Sequence, residues 1–173
     1  MLGDLNDAFA KEDIRAIMNL TVVPFGNAKL GRFGKLTCQH GEEECEGNSW
    51  EQCGIEHNPD VSKHFPYYVC LEQSKGKPTF EKAAMKCASE SGLDFSAIST
   101  CFNGPEGKQL QRKFSDLTPK HQYTPWVTLN TAVMSQRGTF ISNLCKAYKE
   151  GGGTPPASCK KFEQKAEPCP AEW

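Results

Sequence analysis

Cysteine is the residue type here with the most chemistry available to it, and nine are present: Cys38, Cys45, Cys53, Cys70, Cys87, Cys101, Cys145, Cys159 and Cys169. Cysteines staple chains, ligate metals or exchange disulfides, and spacing helps to separate these uses. Metal clusters and redox pairs commonly show CxxC spacing, whereas the closest two here, Cys38 and Cys45, lie seven apart. A reducing cytosol gives no reason to keep so many scattered thiols. The pattern therefore predicts a disulfide framework in an oxidising compartment, with all nine as candidates. An odd count leaves at least one thiol free or bonded outside the chain. The rival is a zinc site drawn from Cys38, His40, Cys45, Cys53 and His57. Its C-x6-C and C-x7-C spacings fit no common zinc pattern, so no metal ligand and no cofactor is assigned. A second redox centre among Cys70, Cys87, Cys101 and Cys145 is disfavoured too, since buried helical thiols are inert or already paired.

The other polar candidates have plainer readings. Glu42, Glu43 and Glu44 read as a solvated charge run, His40 as a loop-ordering hydrogen-bond partner and His121 as a structural histidine ahead of a strand. Asn19-Leu20-Thr21 is a glycosylation sequon, which has meaning only in the secretory pathway. Yet the first residues lack the basic and apolar regions of a signal peptide, so the chain reads as a mature fragment or a truncated product. The length of 173 residues suits one domain. A formal net charge of -1, with no clustered basic excess, argues against a nucleic-acid partner. No apolar run reaches the length of a membrane span, so a soluble chain with no membrane partner is expected. The oligomeric state is not legible.

Periodicity supplies the elements that would position these residues. Leu5, Ala8, Phe9, Ile14, Ile17 and Met18 predict an amphipathic helix over 4–18. Leu20–Val23 predicts a strand closed by the turn Pro24-Phe25-Gly26-Asn27. Residues 28–60 show little periodicity and read as a stapled loop region. Helices are then expected over Val61–Ser74, Thr79–Ser91 with Gly92 as the stop, a short one capped by Asp94, and Pro105–Asp116. Trp126–Leu129 reads as a strand turning at Asn130-Thr131 into a second through Met134, with Trp126, Val127 and Leu129 in the core. Thr139–Lys149 is the last helix, ended by Gly151-Gly152-Gly153 before a cysteine-bearing tail, 151–173. The order is that of an α/β thioredoxin-like sandwich lacking its first strand, with a helical, disulfide-stapled insertion at about 36–120 in a domain of residues 1–150.

Three segments carry a family resemblance. Cys38-Gln39-His40-Gly41, followed by Glu44, Cys45, Asn48 and Cys53, resembles the CQHG-x2-EC-x2-N-x4-C signature of the gamma-interferon-inducible lysosomal thiol reductases. Val22–Ala28 is similar to that family's VPYGNA stretch, and His121–Asn130 to its HxYxPWVTVN segment. The resemblance implies reduction of disulfides in protein substrates in a lysosomal or extracellular compartment. It also implies a cis-proline docking loop at Thr124-Pro125 flanked by Tyr123 and Trp126. The family's CxxC pair, which would precede the first helix, is absent from these residues, so no catalytic residue can be named. Loss of the preceding strand would also leave sheet edges unpaired, which implies a longer natural protein. The alternatives are a redox-inactive, disulfide-stapled polypeptide-binding protein and a nonfunctional truncated product.

Overall fold

The computed structural model describes residues 2–74, 79–135 and 137–163. Two short helices, α1 (Leu2–Phe9) and α2 (Glu12–Arg15), precede a hairpin of β1 (Lys29–Leu30) and β2 (Leu36–Thr37). Five helices follow: α3 (Glu42–His57), α4 (Val61–Gln73), α5 (Phe80–Ser91), α6 (Phe95–Asn103) and α7 (Pro105–Leu117). A second hairpin, β3 (Thr128–Leu129) and β4 (Ala132–Val133), leads to α8 (Phe140–Glu150), a 3₁₀ turn at Ala157–Cys159 and α9 (Lys160–Glu163). The architecture is mixed α/β, mostly helix, and its described strands form two antiparallel two-stranded sheets. Residues 20–124 make one compact unit; the segments before and after them make another.

In the unit of residues 20–124, α3 is the central element. Residues Gly47–Gly54 are buried without a break, including the polar Asn48, Ser49, Glu51 and Gln52. A helix covered on all sides has no polar face, which is why 28–60 showed no periodicity and was expected to be loop. The loop expectation is overturned: this stretch holds β1, β2 and a 16-residue helix. Trp50 stacks on Phe102 with ring centroids 3.9 Å apart, and Tyr67 donates to the Trp50 carbonyl. Tyr67 lies so close to α3 that a Cβ at Gly54 would run into its ring. Burial, aided by Glu51, raises the phenol pKa of Tyr67, and the same causes act on Tyr68. Leu71, Cys87, Ile98, Leu110 and Phe114 complete the core from the surrounding helices.

The four remaining helix expectations in α4, α5, α6 and α7 hold, and local chemistry explains three of the starts. Asp60 caps α4, its side chain accepting from the Ser62 amide; Ser62's hydroxyl and N–H hold the carboxyl below its ordinary pKa. Thr79 caps α5 and Asp94 caps α6 in the same manner. Gly92 takes the left-handed conformation, φ 68°, that ends α5. Pro66 sits inside α4 and removes one backbone donor without ending the helix.

In the other unit, Ala8, Ile14, Met134, Phe140, Ile141, Leu144, Cys145 and Cys159 form a separate core. The single helix expected over 4–18 is two, broken where Lys11 adopts an extended conformation (φ -89°, ψ 114°). The Leu20–Val23 strand is not formed: these residues have no ladder partner among the described residues, and a strand exists only through its neighbour. The second hairpin is formed as expected, pairing Thr128 with Val133 and Leu129 with Ala132. Val127 and Leu129 pack on the core; Trp126, expected within it, is half-buried. Thr139 caps α8, and Asp13 accepts from both the N–H and the hydroxyl of Ser158 at 2.9 Å. Those bonds hold the Asp13 carboxyl below its ordinary pKa.

Candidate functional site

Eight cysteines are paired: Cys38–Cys45, Cys53–Cys101, Cys70–Cys87 and Cys145–Cys159. Cys169 lies outside the described residues. The zinc reading loses its sulfur ligands, because Cys38, Cys45 and Cys53 are all spent in disulfides. His57 Nε2 lies 3.2 Å from Glu106 Oε2 and close to Cys101, but that sulfur is bonded to Cys53 and offers no thiolate. Cys70, Cys87, Cys101 and Cys145, for which a second redox centre was disfavoured, are each in a disulfide.

Three segments singled out in the sequence meet at the N-terminal end of α3. The first turn of α3 starts at Gly41, whose missing side chain cannot cap it. Glu44 reaches back instead, accepting from the His40 backbone N–H at 2.7 Å and facing His40 Nδ1 at 3.1 Å. This is the reach of an N3 glutamate in a capping box, extended by one residue. Glu44 is therefore not part of a solvated run, whereas Glu42 and Glu43 are exposed. The Cys38–Cys45 bond closes a ring around this turn, its Cα atoms 5.6 Å apart.

From the next turns of α3, Asn48 Nδ2 donates to the Phe25 carbonyl at 3.3 Å and Gln52 Nε2 to the Pro24 carbonyl at 2.8 Å. Pro24 and Phe25 are buried, so these amides satisfy carbonyls that water does not reach. Asn27 extends the network at the surface. Its amide nitrogen donates to Gln39 Oε1 at 2.6 Å, and its oxygen lies 2.9 Å from His121 Nε2. His121 Nδ1 lies 2.8 Å from the Pro119 carbonyl.

The structure thus brings together Cys38, Gln39, His40, Gly41, Glu44, Cys45 and Asn48, with Cys53 further along the same helix. Gln52 was not named from the sequence, and Asn27 only as the last residue of the Pro24–Asn27 turn. The available signal for Gln52 was its place four residues after Asn48, on one helix face. The proposed docking residues follow His121 in the chain. Tyr123 is 38% exposed, Thr124 and Pro125 are exposed, and Trp126 is half-buried. The sequon residue Asn19 is exposed.

These features define a class: a disulfide-framed, mostly helical α/β protein whose most distinctive residues clamp a turn. The profile of the family described as Gamma interferon inducible lysosomal thiol reductase (GILT) matches residues 1–91. All of the chain aligns with a gamma-interferon-responsive lysosomal thiol protein of Arabidopsis thaliana at 34% identity, spanning 74% of that protein. It is 32% identical to the gamma-interferon-inducible lysosomal thiol reductase of Mus musculus over 79% of this chain and 57% of the relative. The corresponding Carassius auratus protein is 33% identical, with 83% of this chain and 59% of the relative aligned. The chain belongs to the GILT family.

Proposed function

We propose that this protein acts as a thiol reductase that opens disulfide bonds in other polypeptides, in a lysosome-like or extracellular compartment. The observation that carries the reading is the α3 clamp. Residues of the CQHG signature, the Pro24–Asn27 turn and His121 form one hydrogen-bonded network directly preceding the exposed Tyr123-Thr124-Pro125 segment. We take Tyr123, Thr124, Pro125 and Trp126 as a docking loop for extended polypeptide, within a thioredoxin-like arrangement carrying a helical insertion at about 36–120 and a tail over 151–173. The four disulfides and the exposed sequon at Asn19 favour an oxidising, secretory compartment.

Reduction requires a thiolate that attacks a substrate sulfur, forming a mixed disulfide and releasing one substrate thiol. A second thiol then resolves the intermediate, leaving the enzyme's pair oxidised and the substrate reduced. These 173 residues contain no CxxC, and every described cysteine is already oxidised. They contribute scaffold and docking, and the attacking pair is not among them. The same observation favours a second reading, a redox-inactive protein that holds polypeptides on the Tyr123–Trp126 segment.

Insulin reduction separates the two. Residues 1–173 alone, with cysteine as electron donor, are expected to leave insulin disulfides intact. A chimera joining a relative's CxxC-bearing segment ahead of residue 2 should precipitate the insulin B chain. In that chimera, Tyr123→Ala should lower kcat/KM for insulin by about tenfold with little effect on a small disulfide, as expected when substrate docking is lost. A folded but inert chimera, alongside retained binding of unfolded polypeptide, would support the second reading instead.

A further inference from the structure

The β1–β2 hairpin presents a surface that the clamp does not use. Its turn is closed by hydrogen bonds from Gly31 N–H to the Lys35 carbonyl and from Gly34 N–H to the Gly31 carbonyl, both 2.9 Å. At the tip stands Phe33, 100% exposed. Leu30 and Leu36 pack against the core, so the hairpin is anchored at its base. Between the hairpin and α7 lies an open cleft of about 510 Å³, lined by Leu30, Phe33, Lys35, Lys108, Gln109 and Arg112, along with Gly34.

The charge at this place is of one sign. Lys35, Lys108 and Arg112 line the cleft, Lys29 and Arg32 flank the tip, and all five are exposed. None makes an ion pair among the described residues. Lys108 and Arg112 stand four apart on α7 and so share a face. The next residue of that stripe, Asp116, does not line the cleft. The remaining cation of the same helix, Lys113, pairs with Glu56. The chain's net charge of -1 makes the concentration of five cations around one aromatic a local property.

We propose that this hairpin and α7 form a peripheral docking site for an anionic lipid surface, with Phe33 entering the interface and the five cations meeting phosphodiester headgroups. A fully exposed aromatic at a hairpin tip suits insertion into a bilayer interface, whereas a peptide pocket would recess it. Cations distributed on two elements make a collar for many headgroups rather than a clasp for one carboxylate. One aromatic and a basic collar supply the two signals that stable but reversible surface binding needs. Basic residues near an anionic surface each contribute about 1 kcal/mol, or about fivefold in partitioning, falling with ionic strength. No helix of the described residues is long and apolar enough to cross a membrane. The inference stands apart from the thiol-reductase reading, since its test needs no redox activity.

Cosedimentation of residues 1–173 with vesicles tests it. Binding is expected to equimolar phosphatidylcholine and phosphatidylglycerol, and not to phosphatidylcholine alone. Phe33→Ser should weaken binding by about tenfold, given the value of burying a phenylalanine side chain. The triple variant Lys35→Ala, Lys108→Ala, Arg112→Ala should weaken it by about a hundredfold, from three fivefold factors. All these positions are exposed, and unchanged helical circular dichroism would show that the variants still fold. Binding should persist at acid pH, because phosphodiesters stay ionised there. Equal binding to neutral vesicles, or no effect of either variant, would overturn the proposal. So would a polyglutamate peptide that binds more tightly than the vesicles and displaces them at neutral pH, since that marks an acidic polypeptide as the partner.

Discussion

At the residue scale, the signature side chains act as clamps, and burial ranks their contributions. Gln52 is fully buried and satisfies the buried Pro24 carbonyl, whereas Asn27 joins Gln39 and His121 at the surface. Gln52→Ala leaves that carbonyl without its donor and should cost about 1–3 kcal/mol; Asn27→Ala should cost about 1 kcal/mol or less. Urea midpoints at constant m-value would check the ranking, and a larger loss for Asn27→Ala would refute it. Asp13 gives a pH signature. Its native carboxyl pKa is lowered from 3.8 by the Ser158 bonds. A group with a depressed native pKa adds stability above its unfolded value and loses it as pH falls through the native one. The wild-type advantage in Tm over Asp13→Asn should therefore be full above pH about 4 and vanish in stronger acid. An advantage that grows on acidification would contradict the assignment.

At the element scale, helices with a cap and an exposed face were legible, and buried or unpaired elements were not. Asp94 announced its helix because capping is local chemistry between a side chain and the next turn, and Thr79 and Thr139, expected as first helical residues, cap theirs in the same way. The β3–β4 hairpin was legible through its turn, and that turn stores strain. Asn130 and Thr131 both have positive φ, 47° and 74°. Such a pair is the requirement of a type I′ hairpin turn, which favours Asn-Gly. Thr131 is β-branched and unsuited to that conformation. Thr131→Gly should stabilise the unit by about 1 kcal/mol, with a matching rise in Tm on thermal melting. A fall in Tm would show that the Thr131 side chain makes a compensating contact. The α3 helix failed the same legibility because its neighbours cover its whole circumference over residues 47–54.

At the scale of the molecule, the disulfides respect the two units. Cys38–Cys45, Cys53–Cys101 and Cys70–Cys87 all fall within residues 20–124, and Cys145–Cys159 falls outside. Each unit has its own apolar core. Residues 20–124 expressed alone in an oxidising compartment should therefore fold, with strong helical circular dichroism and those three pairings in peptide maps. Scrambled pairings or a disordered spectrum would show that this unit depends on the rest of the chain. The aromatic-cationic hairpin lies within the same unit, so the excised fragment should also retain vesicle binding.

What these amino acids settled unaided was the family, the disulfide chemistry and where α4 to α8 begin. Each depends on residues close in sequence or on types at fixed spacing: CQHG with its following Cys45 and Cys53, a capping aspartate, a terminal glycine. The cysteine partners, the helix hidden at residues 42–57 and the network through Asn27 were decided by the tertiary structure. Cys53 meets Cys101 across 48 residues and Asn27 meets His121 across 94. Nothing local encodes those distances, because they are set by how the helices pack on α3. The same packing decides that Leu20–Val23 finds no described strand to pair with, although its residues suit one.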